Sequence, residues 1–331
     1  MVRVMSGIQP TGALHIGNYL GALQNWVRLQ GEYEAFFAVV DLHALTIRPE
    51  PETLRRAIRE IAIGILAAGV DPDRATLFVQ SQVPGHAELM WILSCFTPLG
   101  DLNRMTQFKD KSTQLPELVN AGLFTYPILQ AADILVYRAE RVPVGEDQEQ
   151  HLELAREIVR RFNGLYGATF PEPMPVRSTA PRVLGIDGEA KMSKSKGNEI
   201  GLFETEQETW EKLRVAKTDP QRLRRQDPGR PEVCNIFSYH GYFSDAATCA
   251  QVDRECRTAA IGCVDCKKLL ARNLEAVKGP IRERALALRA DPGRLDQILG
   301  DGAARASRVA EETMAMVRER IGLPKAGAGH G

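Results

Sequence analysis

The chain has 331 residues, 44% of them hydrophobic, with 42 Lys and Arg balancing 42 Asp and Glu. That length allows two domains and a substantial buried core, and zero net charge excludes a global field for nucleic acid while leaving room for a local basic surface. No uninterrupted apolar run approaches ~18 residues and the first residues lack a signal-peptide pattern, so a cytoplasmic protein without a membrane partner is expected.

In chain order, the β-rich apolar run over residues 2–8 predicts a buried strand. Pro10-Thr11-Gly12 breaks it, and Leu20, Leu23, Trp26 and Val27 then recur at helical spacing. His15-Ile16-Gly17-Asn18 therefore falls in a strand-to-helix turn, where free backbone N–H groups and the helix dipole attract phosphate. Gly12 and Gly17 admit a ligand close to the backbone, and His15 and Asn18 can donate hydrogen bonds to phosphate oxygens. Taken alone, these four residues are equally consistent with an ordinary turn. A second strand is predicted over 35–40. Over 53–68, Leu54, Ala57, Ile58, Ile61, Ala62, Ile65 and Leu66 share one helical face, with Pro51 suited to the first turn. A strand over 75–80 and an apolar helix over 89–96 follow. This alternation predicts an α/β fold, a Rossmann-like open parallel sheet with helices on both faces.

The polar stretch 186–198 carries Lys191, Lys194 and Lys196 among glycines. It reads either as a solvated surface loop or as a mobile loop that lays ammonium charge on ATP phosphates. From about residue 203 strand signals fade, and helices are predicted over 206–217, 246–260, 267–290 and 302–321, with Asp-Pro turns at Asp219, Asp227 and Asp291. The last helix spaces Ala303, Ala306, Val309, Ala310, Thr313 and Val317 by threes and fours. The expected division is a catalytic domain over 1–200, a helical domain over 201–296, a C-terminal helix over 297–323 and a disordered tail over 324–331. Lys212, Arg214, Lys217, Arg222, Arg224, Arg225 and Arg230 offer a local basic surface that is either solvated or in contact with nucleic acid.

Four of the six cysteines form Cys234-x21-Cys256-x6-Cys263-x2-Cys266. Cytoplasmic disulfides are uncommon, and a group ending in Cys-x2-Cys favours metal. Four thiolates suit tetrahedral zinc or an iron–sulfur cluster, and spacing alone does not separate the two. Cys249 lies within the long spacer and competes as a ligand, while Cys95, in an apolar helix, reads as core packing.

The segments Thr11–Asn18 and Lys191–Ser195 resemble the HIGH and KMSKS signatures of class I aminoacyl-tRNA synthetases. Ser6-Gly-Ile-Gln-Pro10, Met105-Thr-Gln-Phe-Lys109-Asp-Lys111, Tyr126-Pro-Ile-Leu-Gln130-Ala-Ala-Asp133-Ile-Leu-Val-Tyr137 and Val142-Pro-Val-Gly145-Glu-Asp147-Gln148-Glu-Gln-His151 resemble tryptophanyl-tRNA synthetases in particular. The resemblance runs from about residue 4 to about 322, in the family's order. It implies a Rossmann-like catalytic domain followed by a helical anticodon-binding domain, and an enzyme that joins tryptophan to Mg²⁺-ATP and passes it to tRNA(Trp).

Site residues follow from the same resemblance. Gln9, Thr11, Gly12, His15, Gly17, Asn18, Gly145, Asp147, Val183, Met192, Ser193 and Ser195 would bind ATP together with Lys191 and Lys194. These two lysines and Lys111 would close over the leaving pyrophosphate. Asp133 would accept the indole N–H between apolar walls from Met5, Val40, Ile134, Val142 and Val144, and such a site rejects tyrosine because a buried carboxylate left unpaired is costly. Tyr126 and Gln148 would hold the α-amino group, with Gln130, where some bacterial members have methionine, beside them or beside the ring. A subset of bacterial members carries a [4Fe-4S] cluster on four cysteines whose first spacer is one residue longer. That points to a cluster on Cys234, Cys256, Cys263 and Cys266, with zinc as the alternative, distant from the ATP site and ordering helices that face the anticodon. The family implies a homodimer, with no membrane or DNA partner. His43, His86, His151, His240 and His330 show no metal-ligand spacing and receive no chemistry, although His43 lies in a family-like segment. A tyrosyl-specific synthetase is the nearest alternative, disfavoured by the Gly145–Gln148 and Met105–Phe108 wording. A non-catalytic RNA-binding or iron-sensing paralogue is disfavoured by intact His15, Asn18, Lys111, Lys191 and Lys194.

Overall fold

The structure, a computed structural model, describes residues 1–105, 119–145, 148–177 and 183–324, the side chain of Ser195 excepted. Five parallel strands, β1 (Arg3–Ile8), β2 (Glu34–Val39), β3 (Ala75–Val79), β4 (Arg141–Val144) and β5 (Met174–Arg177), form one sheet in the order β3-β2-β1-β4-β5. Their side chains alternate between two cores. Met5, Phe36, Ala38 and Phe78 face one side, while Val4, Ala35, Phe37, Val39 and Leu77 face the other. Burial on both faces explains the continuous apolar runs that mark β1, β2 and β3 in the sequence.

The chain winds outward in both directions from β1, so the crevice at the carboxyl ends of β1 and β4 is the switch point where open α/β sheets bind ligands. Among the described residues, β1 and β4 pair only at Val4 and Arg141, and the strands part beyond that register. β4 and β5 are short, and β4 contains Pro143, which is why they did not stand out in the sequence.

Helix Pro51–Ala67 begins where Glu50 accepts a hydrogen bond from Thr53 N and Pro51 occupies the first turn. Its buried residues run from Ile61 to Ala67. The helical half does not stand apart from the sheet. Ile281 and Ala285 of helix Cys263–Ala290, with Leu295, Ile298 and Leu299, join one sheet core, and Ala306, Val309, Met314 and Val317 join the other. The last helix runs Pro292–Ile321, ten residues longer than the pattern over 302–321 predicts. Asp291 caps it by accepting from Arg294 N, and Pro292 opens its first turn. The expected boundary at 296/297 thus falls inside a helix. Of the expected tail, residues 325–331 lie outside the described residues. No helix among the described residues is long and apolar enough to cross a membrane.

Candidate active site

A cavity of about 460 Å³ opens at the switch point, lined by Met5, Ser6, Gly7 and Gln9 from β1 and its end, Val40 and His43 beyond β2, and Val142, Pro143, Val144 and Gln148 at β4. Helix Ala121–Leu135 supplies Tyr126, Gln130, Asp133 and Ile134, whose spacing places them on one face. Every residue that the resemblance assigns to tryptophan lines this cavity, and so does Gln9.

Among the described residues Asp133 is the only acidic one in the lining, and it is 4% exposed. Its Oδ1 accepts from Gln80 Nε2 at 2.6 Å and His86 Nδ1 at 2.7 Å, and its Oδ2 accepts from His43 Nε2 at 2.7 Å. Burial alone would push the carboxyl up, but His43 and His86 overcome it and hold the group at about 2. A carboxylate only accepts hydrogen bonds, so both imidazoles donate to it. His86, donating from Nδ1, presents Nε2 to the Tyr137 hydroxyl at 2.7 Å. Gln80 is oriented from behind, since its Oε1 accepts from Leu42 N at 3.1 Å. With two donors on Oδ1 and one on Oδ2, about one acceptor position of four is left on Oδ2. His43, Gln80 and His86 come from three separate segments, so no spacing rule marks them. The family-like segment around His43 was the one available signal.

At the other end of the cavity, the Tyr126 hydroxyl lies 2.8 Å from His151 Nε2, and burial pushes its phenol up to about 12. Gln130 Nε2 donates to Gln148 Oε1 at 3.3 Å.

The two signature segments lie side by side. Ile16 N donates to Ile200 O at 3.0 Å, and Leu202 N donates to Leu14 O at 2.8 Å, which pins the first segment to the strand-like exit of the second. A Cβ built on Gly12 would lie 3.3 Å from Lys194 Cδ, and one on Gly17 would lie 3.7 Å from Met192 Cβ. Asn18 turns inward, accepting from His15 N at 3.0 Å. His15 Nδ1 is buried without a hydrogen-bond partner, and burial lowers its pKa, with Glu199 opposing and Lys191 reinforcing. Lys191 and Lys194 are exposed. Met192 and Val183 are buried, and Met192 N donates to Val183 O at 3.0 Å. Thr11 N turns back to Gln9 O, and Gly145 O accepts from Gln148 N. Lys111 and Asp147 lie outside the described residues.

The four cysteines converge in the helical half. Cys234 and Cys266 are buried, and Cys256 and Cys263 partly so. Burial pushes the Cys266 thiol up to about 12, aided by Cys234, Cys256 and Cys263. Arg222 Nη1 donates to Cys256 Sγ at 3.6 Å, and a Cβ on Gly229 would come within 2.4 Å of that sulfur. Among the described residues, no three His, Cys, Asp or Glu side chains stand at the spacing of a single-ion site. Cys249 turns to His240 O at 3.3 Å instead. Cys95 is exposed, which corrects the core-packing expectation; it follows the end of helix Gly85–Ser94, one turn beyond Trp91, itself 71% exposed. Six of the seven basic residues of the 212–230 stretch are engaged within the fold: Lys212 and Lys217 by glutamates, Arg214 by Glu211, Arg230 by Asp219, and Arg222 and Arg225 largely by carbonyls.

Residues 1–277 match the family described as tRNA synthetases class I (W and Y). The chain is 52% identical to a tryptophan–tRNA ligase of Deinococcus radiodurans over 98% of this chain and all of that one. It is 45% identical to that of Thermotoga maritima, over 97% and 99%. A tryptophanyl-tRNA synthetase from Campylobacter jejuni, solved with ADP and tryptophan, superposes with a TM-score of 0.88 at 37% identity, covering 97% of this chain and 100% of that one. With the switch-point cavity, the paired signature segments and these full-length relatives, the chain belongs to the class I tryptophanyl-tRNA synthetases.

Proposed function

We infer that the chain is a tryptophan–tRNA ligase: it activates L-tryptophan with Mg²⁺-ATP to tryptophanyl-adenylate and pyrophosphate, then transfers tryptophan to the 3′-terminal adenosine of tRNA(Trp). The observation that carries the amino-acid choice is Asp133, an ionised carboxylate in the cavity lining beside Met5, Val40 and Ile134, with acceptor capacity remaining on Oδ2. An indole N–H supplies the missing donor, and Met5, Val40, Ile134, Val142 and Val144 bound the ring. Tyr126 and Gln148 take the α-amino group. The tryptophan carboxylate attacks the α-phosphorus in line and pyrophosphate leaves, so the residues position the reactants and neutralise charge. His15 and Lys194 would serve the phosphates, with Lys191 on the same loop; the nearness of Lys194 to Gly12 supports this. ATP–pyrophosphate exchange with tryptophan and with tyrosine tests the reading. Exchange that depends on tyrosine and not on tryptophan refutes it.

The four cysteines fit a metal centre by their chemistry: four converging thiols, an arginine on one sulfur, and the buried Lys267 nearby. Either tetrahedral zinc or a [4Fe-4S] cluster takes four thiolates. The spacing of Cys234, Cys256, Cys263 and Cys266, whose last two intervals match those of the cluster-bearing members the chain resembles, favours the cluster. When bound, such a cluster supplies structural cross-linking of the helical half. Iron, sulfide and zinc analysis of anaerobically purified protein decides between the two, and stoichiometric zinc without iron rules the cluster out. A homodimer, in a cytoplasmic enzyme, would cover Trp91 and Leu99, which are 71% and 68% exposed. Sedimentation at micromolar concentration tests it, and a monomer there sinks the assignment.

A further inference from the structure

Helix Asn235–Phe243 starts at the residue after Cys234. Asn235, at its first turn, donates Nδ2 to Gly185 O at 2.8 Å. One turn later Tyr239, fully buried, donates its hydroxyl to Leu184 O at 2.6 Å. Those two carbonyls form the root of the loop that bears Lys191 and Lys194. Gly185 N donates to Ala190 O at 2.8 Å, and Leu184 bridges Lys191 in antiparallel register. Ile186 N donates to Asn198 O at 2.8 Å, while Asn198 accepts from Ser193 N and donates to Asp187 Oδ2, each at 2.8 Å. The loop is therefore a small braced hairpin rather than a free polar strand. Its outer brace comes from the helix that follows a cysteine of the four-thiol group. Apolar packing runs the same way, because Val183 and Met192 share a core with Ile236 and Tyr239.

We propose that Asn235 and Tyr239 are positioning residues for ATP activation. They fix the loop root and so set where Lys191 and Lys194 meet the phosphates, and through Cys234 they couple the four-cysteine site to the ATP site. The proposal rests on the reading that the loop lysines act on ATP. It departs from the sequence-based expectation of a cysteine site remote from that chemistry. The physical reason is that a carbonyl left without its donor is costly, chiefly at Leu184 O, because Gly185 O also accepts from Gly188 N at 2.9 Å; the loop root therefore follows the helix.

Tyr239→Phe removes one hydroxyl and keeps the ring, and Asn235→Ala removes the second brace. Three quantities test them: amide hydrogen exchange across residues 184–197, KM for ATP in pyrophosphate exchange, and tryptophan affinity without ATP. In folded Tyr239→Phe, exchange across 184–197 accelerates about tenfold and KM for ATP rises about five- to tenfold, while tryptophan affinity holds. Unchanged exchange and unchanged KM for ATP overturn the proposal. Equal loss of ATP and tryptophan binding together with a lowered Tm also overturns it, since that is a merely structural role. Faster exchange in these variants, combined with normal ATP activation in Lys194→Ala, keeps the brace and refutes the reading of the loop lysines. Cys234→Ser accelerates exchange across 184–197 if the cysteine site is coupled, and unchanged exchange there removes that coupling.

Discussion

His86 donates from Nδ1 to the Asp133 carboxylate at 2.7 Å with both side chains buried, and its other nitrogen meets the Tyr137 hydroxyl. A carboxylate in an apolar wall would ordinarily take up a proton. Here three side-chain donors keep it ionised, and the same donors fix its direction. On the proposed reading of Asp133 as the indole acceptor, selectivity for an N–H-bearing ring depends on Gln80 and His86 behind the cavity wall as well as on His43 within it.

Asp133→Ala is expected to raise the tryptophan requirement in pyrophosphate exchange by on the order of 10²-fold, close to 3 kcal/mol, with KM for ATP little changed. Truncation removes the indole acceptor and leaves three buried donors facing one another. An unaltered KM for tryptophan would remove the assignment.

The same carboxylate predicts an acid limb of stability. Its folded value, about 2, lies below the unfolded carboxyl value of about 3.9. The stability it contributes is fully present above pH ~4 and is lost as pH falls from ~4 toward ~2. Urea midpoints measured across that window should fall more steeply for the wild-type chain than for Asp133→Ala. Parallel curves would mean the group titrates alike in both states.

Much of this site was readable in advance, for a definite reason. Met5, Val40, Tyr126, Gln130, Asp133, Ile134, Val142, Val144 and Gln148 lie in segments whose wording is distinctive, and the cavity gathers all nine. β1, β2 and β3 announced themselves because burial on both faces writes apolar runs into the sequence. Gln80 and His86 did not, because their role arises only when β3, helix Gly85–Ser94 and helix Ala121–Leu135 meet. Asn235 and Tyr239 were hidden likewise: each donates to a backbone carbonyl about fifty residues away, and a carbonyl leaves no mark in the sequence. Cys95 misled because its helix is apolar overall, while the helix end that precedes it faces outward.

Lys194→Ala is expected to lower the rate of tryptophanyl-adenylate formation by about 10²- to 10³-fold, the scale of losing one preorganised charge from a developing anion. Tryptophan affinity without ATP should stay within about twofold, because Lys194 is not in the cavity lining. Single-turnover kinetics with separate tryptophan binding checks both. Equal losses would contradict an electrostatic role confined to the phosphates.

Gly302 packs the last helix against the sheet. A Cβ there would sit 1.7 Å from Leu77 O, a β3 backbone atom that cannot step aside alone. Gly302→Ala should therefore cost about 3 kcal/mol or more despite alanine's better helix propensity, seen as a lower urea midpoint. A stabilised variant would show that the helix can shift outward freely.

Lys278 is fully buried in helix Cys263–Ala290 and donates to Thr209 Oγ1. Burial lowers its ammonium to about 8; Glu204 and Glu275 oppose that shift, and Arg282 and Lys212 add to it. The unfolded lysine titrates near 10.4, so between pH ~8 and ~10 the unfolded chain binds more protons and stability rises with pH. Below ~8 the full cost of burying the charge is present. Lys278→Met keeps the length and removes the charge, while Glu204 retains Lys212 and Glu275 retains Arg282. The variant should be more stable at pH 7 by on the order of 1–3 kcal/mol, with a flat profile from pH 8 to 10. Denaturant melts at pH 7, 8.5 and 10 measure both features. A destabilised variant that keeps the wild-type slope would mean the ammonium is better paired than its surroundings indicate.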